Sequence, residues 1–191
     1  PPGSDIGNLE IFGYDSRVHY TGRSPLEAAS MGVDLGPDGV AFRMNLIYSE
    51  GDTLVDYSAG HIESEEAAEL VAALAGALGR ECIRFYPGVG YRHLLVYDNG
   101  PEDLVSYPPH DIMGESVAAH LPAGPRQEEI RALMEAAGPI LTAAPVNAAR
   151  RARGAHPANA IWLWGSGRAL SLETFGARYG LRGETASICS D

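Results

Sequence analysis

The chain contains no lysine, so its 14 basic residues are all arginine. A bound phosphate or carboxylate would have to be held by guanidinium groups, whose forked geometry can donate two parallel hydrogen bonds to one anion. The 25 acidic residues bring the formal net charge to −11. This negative balance argues against binding to nucleic acid, which needs a basic face, and against a role on a membrane surface.

Cysteine is scarce, and long apolar runs are absent. Cys82 and Cys189 lie far apart and fit neither a disulfide framework nor a zinc site, so we expect two reduced thiols in a cytoplasmic protein. No apolar run approaches the roughly 18 residues that a membrane-spanning helix needs, and no stretch has the pattern of a signal peptide. H-x-x-x-H, C-x-x-C and P-loop motifs are missing as well.

The patterning that is present predicts a layered domain. Residues 1–38 are interpreted mostly as loop, with a short helix at SPLEAASMG for which Ser24 is the expected N-cap. GVAFRMNLIYSEGDTLVDY is typical of a β-hairpin, and SEEAAELVAALAGALG of a helix that covers a sheet, with Ser64 as its cap. Two short strands around PGVG, a long helix interrupted near Gly138 and Pro139, and a strand at ANAIWLWG follow. Strands and helices alternate without a strict βαβ repeat. We therefore predict an α/β fold, with α+β as the alternative, in which helices cover a mixed β-sheet.

Several arginines are candidates for an anion site. Arg43 alternates with apolar residues in VAFRMNLIY, Arg92 begins the strand YRHLLVY, and Arg168 follows WLWGSG at a strand end. An arginine within such a strand lies either on the wet face or in a paired, functional position, and ligands favour strand ends in α/β folds. Together they predict an arginine-lined site for a small phosphate compound. The arginines from 150 to 153 are interpreted as a solvated patch at a helix C-terminus.

Three further stretches carry polar candidates. Ser4 in PPGSD either caps a turn or is a nucleophile that faces a metal ion and a phosphoryl group. Asp56 and His61 precede a helix start, where free N–H groups attract anions, although His61 also fits an ordinary helix-entry residue. His110 and Asp111 lie on the stiff loop PPHDIMG.

Taken together and in this order, PPGSDIGNLEIFGYD, DYSAGHIESEEA, FYPGVGYRHLLV, PPHDIMGE and PANAIWLWGSGRA resemble one group of enzymes. These are the archaeal-type, 2,3-bisphosphoglycerate-independent phosphoglycerate mutases of the alkaline phosphatase superfamily. The resemblance covers nearly the whole chain. It implies a phosphatase-like core with a serine nucleophile and two divalent metal ions (Mn, Mg, Co or Zn), and an inserted domain that closes over phosphoglycerate.

By this resemblance, Ser4 matches the nucleophile, which would carry the phosphoryl group and touch one metal ion. Residues 1–16 would be a stub of the core, residues 17–183 the inserted substrate-binding domain, and residues 184–191 a strand returning to the core. The other metal ligands would lie outside the 191 residues. The chain by itself is then expected to bind no metal ion and to be inactive.

The expected reaction of the parent enzyme interconverts 3-phosphoglycerate and 2-phosphoglycerate through a phosphoserine, a step of glycolysis and gluconeogenesis. Chemistry suggests arginine forks for the substrate and a carboxylate–imidazole pair as proton shuttle, which gives the candidates Arg23, Arg43, Arg92, Arg168, Asp56 and His61. Two alternatives stay open. One is a homoserine kinase-like member of the same group, and the other is a stand-alone anion-binding domain.

Overall fold

The computed structural model describes residues 4–173 and 175–180, which divide into two compact units. The larger unit runs from Thr21 to Ala169, and the described residues on either side of this range form the smaller one. The assignment of residues 1–16, 17–183 and 184–191 to parts of a larger enzyme stays a prediction. Residues 184–191 lie outside the described residues.

The smaller unit contains three short helices: α1 (Ser4–Ile11), α2 (Ser16–His19) and α8 (Phe175–Tyr179). The carboxylate of Asp15 caps α2 by accepting a hydrogen bond from the amide of Arg17 at 3.0 Å. The sequence predicted mostly loop before residue 38, and α1 is a difference from that prediction. Its glycine and asparagine are poor helix formers, so propensity alone did not indicate a helix here.

The larger unit is built on five strands: β1 (Gly39–Glu50), β2 (Thr53–Asp56), β3 (Ile83–Tyr86), β4 (Arg92–Asp98) and β5 (Ala160–Arg168). The long strand β1 pairs with β4, with β5 and, through its final residues, with β2, while β3 pairs with β4. Every pairing among the described strands is antiparallel. The layered architecture is confirmed, and the sheet fits the α+β alternative rather than a mixed sheet.

The described helices of this unit are α3 (Arg23–Ser30), α4 (Ser64–Leu78), α5 (Val117–His120), α6 (Gln127–Ala143) and α7 (Pro145–Ala152), with a 3-10 turn at Pro109–Asp111. The predicted helix α4 is confirmed. The predicted interruption at Pro139 is wrong, because α6 runs through it. The residue before this proline is Gly138, which has no Cβ to clash with the ring. The break comes at Ala144, which is extended before Pro145.

Both faces of the sheet are covered. On one face, Phe42, Met44 and Leu46 of β1 pack into the main hydrophobic cluster together with residues of α4 and α6. On the other, a smaller cluster joins Ala41 of β1 to Ala28 of α3 and to residues of β4. No described helix is both long and apolar enough to cross a bilayer.

Candidate anion-binding site

Arg43 lies in the middle of β1, and its side chain is only 8% exposed. Its Nη1 is 2.9 Å from the Glu27 carboxylate of α3, and its Cζ is 5.1 Å from the centre of the Trp164 ring. Its Nε is buried and has no hydrogen-bond partner among the described residues. Because an arginine keeps its charge in proteins, the side chain holds a positive charge in a dry environment and offers one unused donor.

A local irregularity of β5 brings Trp164 to this position. Next to Arg43 the pairing register between β1 and β5 shifts, and Gly165 has a φ of +63°, a value that favours glycine. The Trp164 indole Nε1 then donates to the Asn45 amide oxygen at 3.1 Å. Ser24 does not cap α3 as predicted. Its hydroxyl accepts from the Arg43 amide at 2.5 Å and donates to the Trp164 carbonyl at 3.2 Å.

Two more arginines lie around this pair. The Cζ of Arg23 is 5.7 Å from the centre of the Trp164 ring, and the Cζ of Arg92 is 5.2 Å from the centre of the Tyr91 ring. Burial lowers the pKa of Arg43; Glu27 opposes this, and the charges of Arg23 and Arg92 add to it. Among the described residues, neither Arg23 nor Arg92 forms an ion pair.

Arg23, Arg43 and Arg92 are called here the arginine cluster. Among the described residues, one carboxylate, that of Glu27, pairs with these three positive charges. An excess of positive charge beside a buried unused donor favours an anion that carries two or more negative charges. The structure thus brings together three of the six predicted substrate-binding residues.

Aromatic rings line the cluster. The rings of Tyr57 and Tyr91 meet edge to face at 5.3 Å, Tyr57 and His110 lie 5.9 Å apart, and His110 and Trp164 lie 6.0 Å apart. Reasoning from the sequence indicated His110 only as a polar residue on a stiff loop. It missed the three other rings, because their proximity depends on strand pairing between distant parts of the chain.

Asp56 and His61 are not brought together. The Asp56 carboxylate accepts from the amides of Ser58 at 2.8 Å and Gly60 at 2.7 Å, and lies 3.1 Å from Nδ1 of His156. Burial raises the pKa of Asp56, but these hydrogen bonds outweigh it and hold the pKa below its usual value. His61 is exposed, and its side chain has no partner among the described residues. The imidazole beside Asp56 is therefore that of His156, which the sequence did not indicate.

Arg168 lies apart from the arginine cluster, at the end of β5. Its Nε donates to the Glu102 carboxylate at 2.5 Å, and it lines a cavity of about 270 Å³ together with Arg126. Arg126 is itself paired with Glu129 at 2.5 Å. Both guanidinium groups already have carboxylate partners, so this cavity offers an anion less than the cluster does.

The interpretation of residues 150 to 153 as a solvated patch is wrong for Arg150. Its side chain is 2% exposed, it forms an ion pair with Glu66, and its Nη2 donates to the carbonyl of Ala59 at 2.6 Å. Arg153 is half exposed and pairs with the same Glu66 at 2.7 Å. The sequence pattern could not show this, because α4 supplies the carboxylate from far away in the chain.

Ser4 is the first residue of α1, and its side chain lies outside what the structure describes. Within residues 4–173 and 175–180, no group of three or more His, Cys, Asp or Glu side chains could hold a metal ion. The described residues therefore do not fit a divalent metal ion.

A sequence profile of the 2,3-bisphosphoglycerate-independent phosphoglycerate mutases matches residues 1–147. An enzyme of that name from Methanosarcina acetivorans is 50% identical over 98% of this chain and 47% of its own length. One from Methanothermobacter thermautotrophicus is 52% identical over 96% of this chain and 46% of its own length. A cofactor-independent phosphoglycerate mutase structure from Thermoplasma acidophilum is 28% identical, with a TM-score of 0.69, over 92% of this chain and 49% of its own. The chain spans about half the length of the curated relatives it matches.

Proposed function

This chain belongs to the 2,3-bisphosphoglycerate-independent phosphoglycerate mutase family, and from that premise we propose that it serves the interconversion of 3-phosphoglycerate and 2-phosphoglycerate in the cytoplasm, as a step of glycolysis and gluconeogenesis. We further propose that the arginine cluster holds the substrate. The observation that carries this second proposal is the buried Arg43, which keeps one guanidinium donor unused.

The charges of cluster and substrate match. A phosphate ester carries about 1.5 to 2 negative charges at neutral pH, and the substrate carboxylate adds another. Arg23 and Arg92 have no carboxylate partner among the described residues and can present their forks to these groups. Around them the rings of Trp164 and Tyr91 replace water with apolar surface, which strengthens an ion pair.

The remaining roles are proposed from chemistry. The Ser4 hydroxyl attacks phosphorus, the bond from phosphorus to the substrate oxygen breaks, and that oxygen takes a proton. The other hydroxyl of the retained glycerate then attacks the phosphorus of the phosphoserine and gives up its proton. The bond from phosphorus to the Ser4 oxygen breaks, and that oxygen takes up a proton. Retention requires that the arginine cluster keeps its hold on the carboxylate and that water stays out. Asp56 with His61 as proton shuttle, and Arg168 as a fourth guanidinium that binds the substrate, stay predictions.

The first test is calorimetric titration of the chain with 3-phosphoglycerate in buffer without divalent metal ions. We expect binding, and we expect Arg43→Gln and Arg92→Ala each to weaken it at least tenfold, about 1.4 kcal/mol. Arg151→Gln is the matched control, because Arg151 is exposed and donates only to the carbonyl of Thr142 among the described residues. Homoserine, which has no phosphate, should not compete.

The second test is turnover in the longest natural protein that contains this chain. There Arg92→Ala should lower kcat/KM for 3-phosphoglycerate at least tenfold. Wild-type affinity in both Arg43→Gln and Arg92→Ala, with thermal unfolding unchanged, would contradict the assignment of the arginine cluster.

A further inference from the structure

His93 is a buried histidine that the proposed reaction does not use. It follows Arg92 in β4 and faces the opposite side of the sheet, where it is 1% exposed. Its Nδ1 accepts a hydrogen bond from the amide of Gly88 at 3.0 Å. Because Nδ1 accepts, the proton of the neutral ring resides on Nε2. That Nε2 is buried, and nothing in residues 4–173 or 175–180 forms a hydrogen bond with it.

This arrangement is unfavourable in itself. An unsatisfied N–H group in a protein interior loses its hydrogen bonds to water and gains none in exchange. Burial also lowers the pKa of His93 to about 4, so the ring is neutral at physiological pH. A leucine would fill a similar volume without this penalty. The bond from Gly88 to Nδ1 is what the histidine supplies and a leucine cannot.

That bond fixes the turn at residues 87–91. Besides the bond from Gly88 to His93, the amide of Gly90 donates to the Ser64 hydroxyl at 3.0 Å. Ser64 thus does not cap α4 as predicted, since the N-cap residue is Glu63. The turn is tight: Gly90 has a φ of +56°, and a Cβ added at Gly88 would lie 2.2 Å from the Arg92 carbonyl oxygen.

The turn positions two residues of the candidate site. Tyr91 is the last residue of the turn, and its carbonyl accepts a hydrogen bond from the amide of Leu46 in β1 at 2.9 Å. Arg92 follows as the first residue of β4, with its guanidinium over the Tyr91 ring. The Tyr91 ring also meets the Tyr57 ring edge to face. A shift of the turn would therefore move both the ring and the charge that face Arg43.

We propose that His93 is a positioning residue of the arginine cluster: through Gly88 it fixes the turn at residues 87–91, and with it the side chains of Tyr91 and Arg92. This inference rests on the proposed function, because it takes the cluster as the site that holds phosphoglycerate. His93 does not touch the ligand and acts through Arg92.

The test compares His93→Leu with His93→Asn in the titration with 3-phosphoglycerate. The Oδ1 of asparagine can occupy the place of Nδ1 and accept from Gly88, whereas leucine has no acceptor. We expect His93→Leu to weaken binding about fivefold, the change that loss of one hydrogen bond produces, and His93→Asn to restore most of it. In an Arg92→Ala background, His93→Leu should have no further effect on affinity.

The outcomes separate the two proposals. If the wild-type chain does not bind 3-phosphoglycerate, the proposed function fails and the role of His93 fails with it. The same holds if the Arg43→Gln and Arg92→Ala variants bind 3-phosphoglycerate as tightly as wild type does. If those variants weaken binding but His93→Leu does not, only the inference about His93 is overturned. It is also overturned if His93→Leu and Arg92→Ala reduce affinity additively, because His93 would then act on the fold in general. His120→Leu is the control, as His120 lies in α5 away from the turn.

Discussion

Glu27 pairs with the Arg43 guanidinium at 2.9 Å from Nη1, and the Nε of the same group has no partner in the part of the chain that the structure describes. The two residues come from α3 and β1, so this ion pair ties the helix to the sheet. An anion held in the arginine cluster, as proposed above, would therefore act on the same guanidinium as the Glu27 carboxylate. Both anions would pair with the positive charge of Arg43, so removing one of them changes how much stability the other provides.

Glu27→Gln should lower the free energy of unfolding by about 2 kcal/mol, because it leaves the buried charge of Arg43 uncompensated. Added phosphate should recover more stability in this variant than in wild type, since the anion then supplies the missing charge. Urea unfolding with and without phosphate measures both effects. Glu102→Gln, which removes the exposed partner of Arg168, is the control and should show neither. A phosphate effect equal to that of wild type would contradict the prediction.

Arg150→Met should be among the most destabilising single changes in the chain, at about 3 to 5 kcal/mol. It removes the buried guanidinium that pairs with Glu66 and donates to the Ala59 carbonyl, and methionine can fill the volume but not the bonds. Arg151→Met makes the same chemical change one residue later at an exposed position, where we expect at most about 0.5 kcal/mol. Chemical denaturation of the two variants side by side would refute this argument if they proved equally stable.

Stability should fall as the pH is lowered from about 6.5 to about 4. Burial holds the pKa of His93 at about 4, against 6.5 for a free histidine. In this window the unfolded chain takes up a proton that the folded chain excludes, so acid favours unfolding, by about 3 kcal/mol in total. Asp56, whose pKa is lowered, contributes its loss only below about 3.8.

Denaturation at pH 7, 5.5 and 4.5 measures this slope. His93→Leu removes the titrating group and should flatten the curve between pH 6.5 and 4, even though it loses the bond from Gly88. A variant curve parallel to that of wild type would show that His93 is not the group responsible.

Two glycine substitutions should have opposite effects. Gly88→Ala places a methyl group 2.2 Å from the Arg92 carbonyl oxygen, so the turn at residues 87–91 must shift, and we expect lower stability and weaker binding of 3-phosphoglycerate. Gly76→Ala lies inside α4 with no atom within 4 Å of the new Cβ, and should stabilise the chain by about 0.5 to 1 kcal/mol. Equal melting temperatures for the two variants would contradict this account of the turn.

Strands and helices could be predicted where local pattern decides them. The hairpin of β1 and β2 and the helix α4 follow from propensity, turn residues and apolar spacing. The interruption predicted at Pro139 was wrong, because the usual cost of a proline inside a helix is moderated by the glycine before it. The helix caps predicted at Ser24 and Ser64 were wrong as well. Both stand at helix starts, but their hydroxyls serve a neighbouring strand and a turn.

The candidate site was predictable only in part. Four arginines, Arg23, Arg43, Arg92 and Arg168, could be named as candidates because the chain has no lysine to bind an anion. Nothing local distinguished the members of the arginine cluster from Arg168 or Arg150. Which of them is already paired depends on carboxylates that other elements supply. The partner of Asp56 was missed for the same reason, since His156 lies 100 residues further on.

The hydrogen bond between Asn45 and Trp164 joins residues 119 positions apart, across the pairing of β1 with β5. During synthesis, β1 to β4 and both large helices leave the ribosome before β5 does. Until β5 emerges and closes this long loop, Arg43 has no indole to stack on, and the edge of β1 stays open to other strands. The candidate anion-binding site is therefore incomplete, and β1 is exposed to wrong pairing, until the last of the described strands has been synthesised.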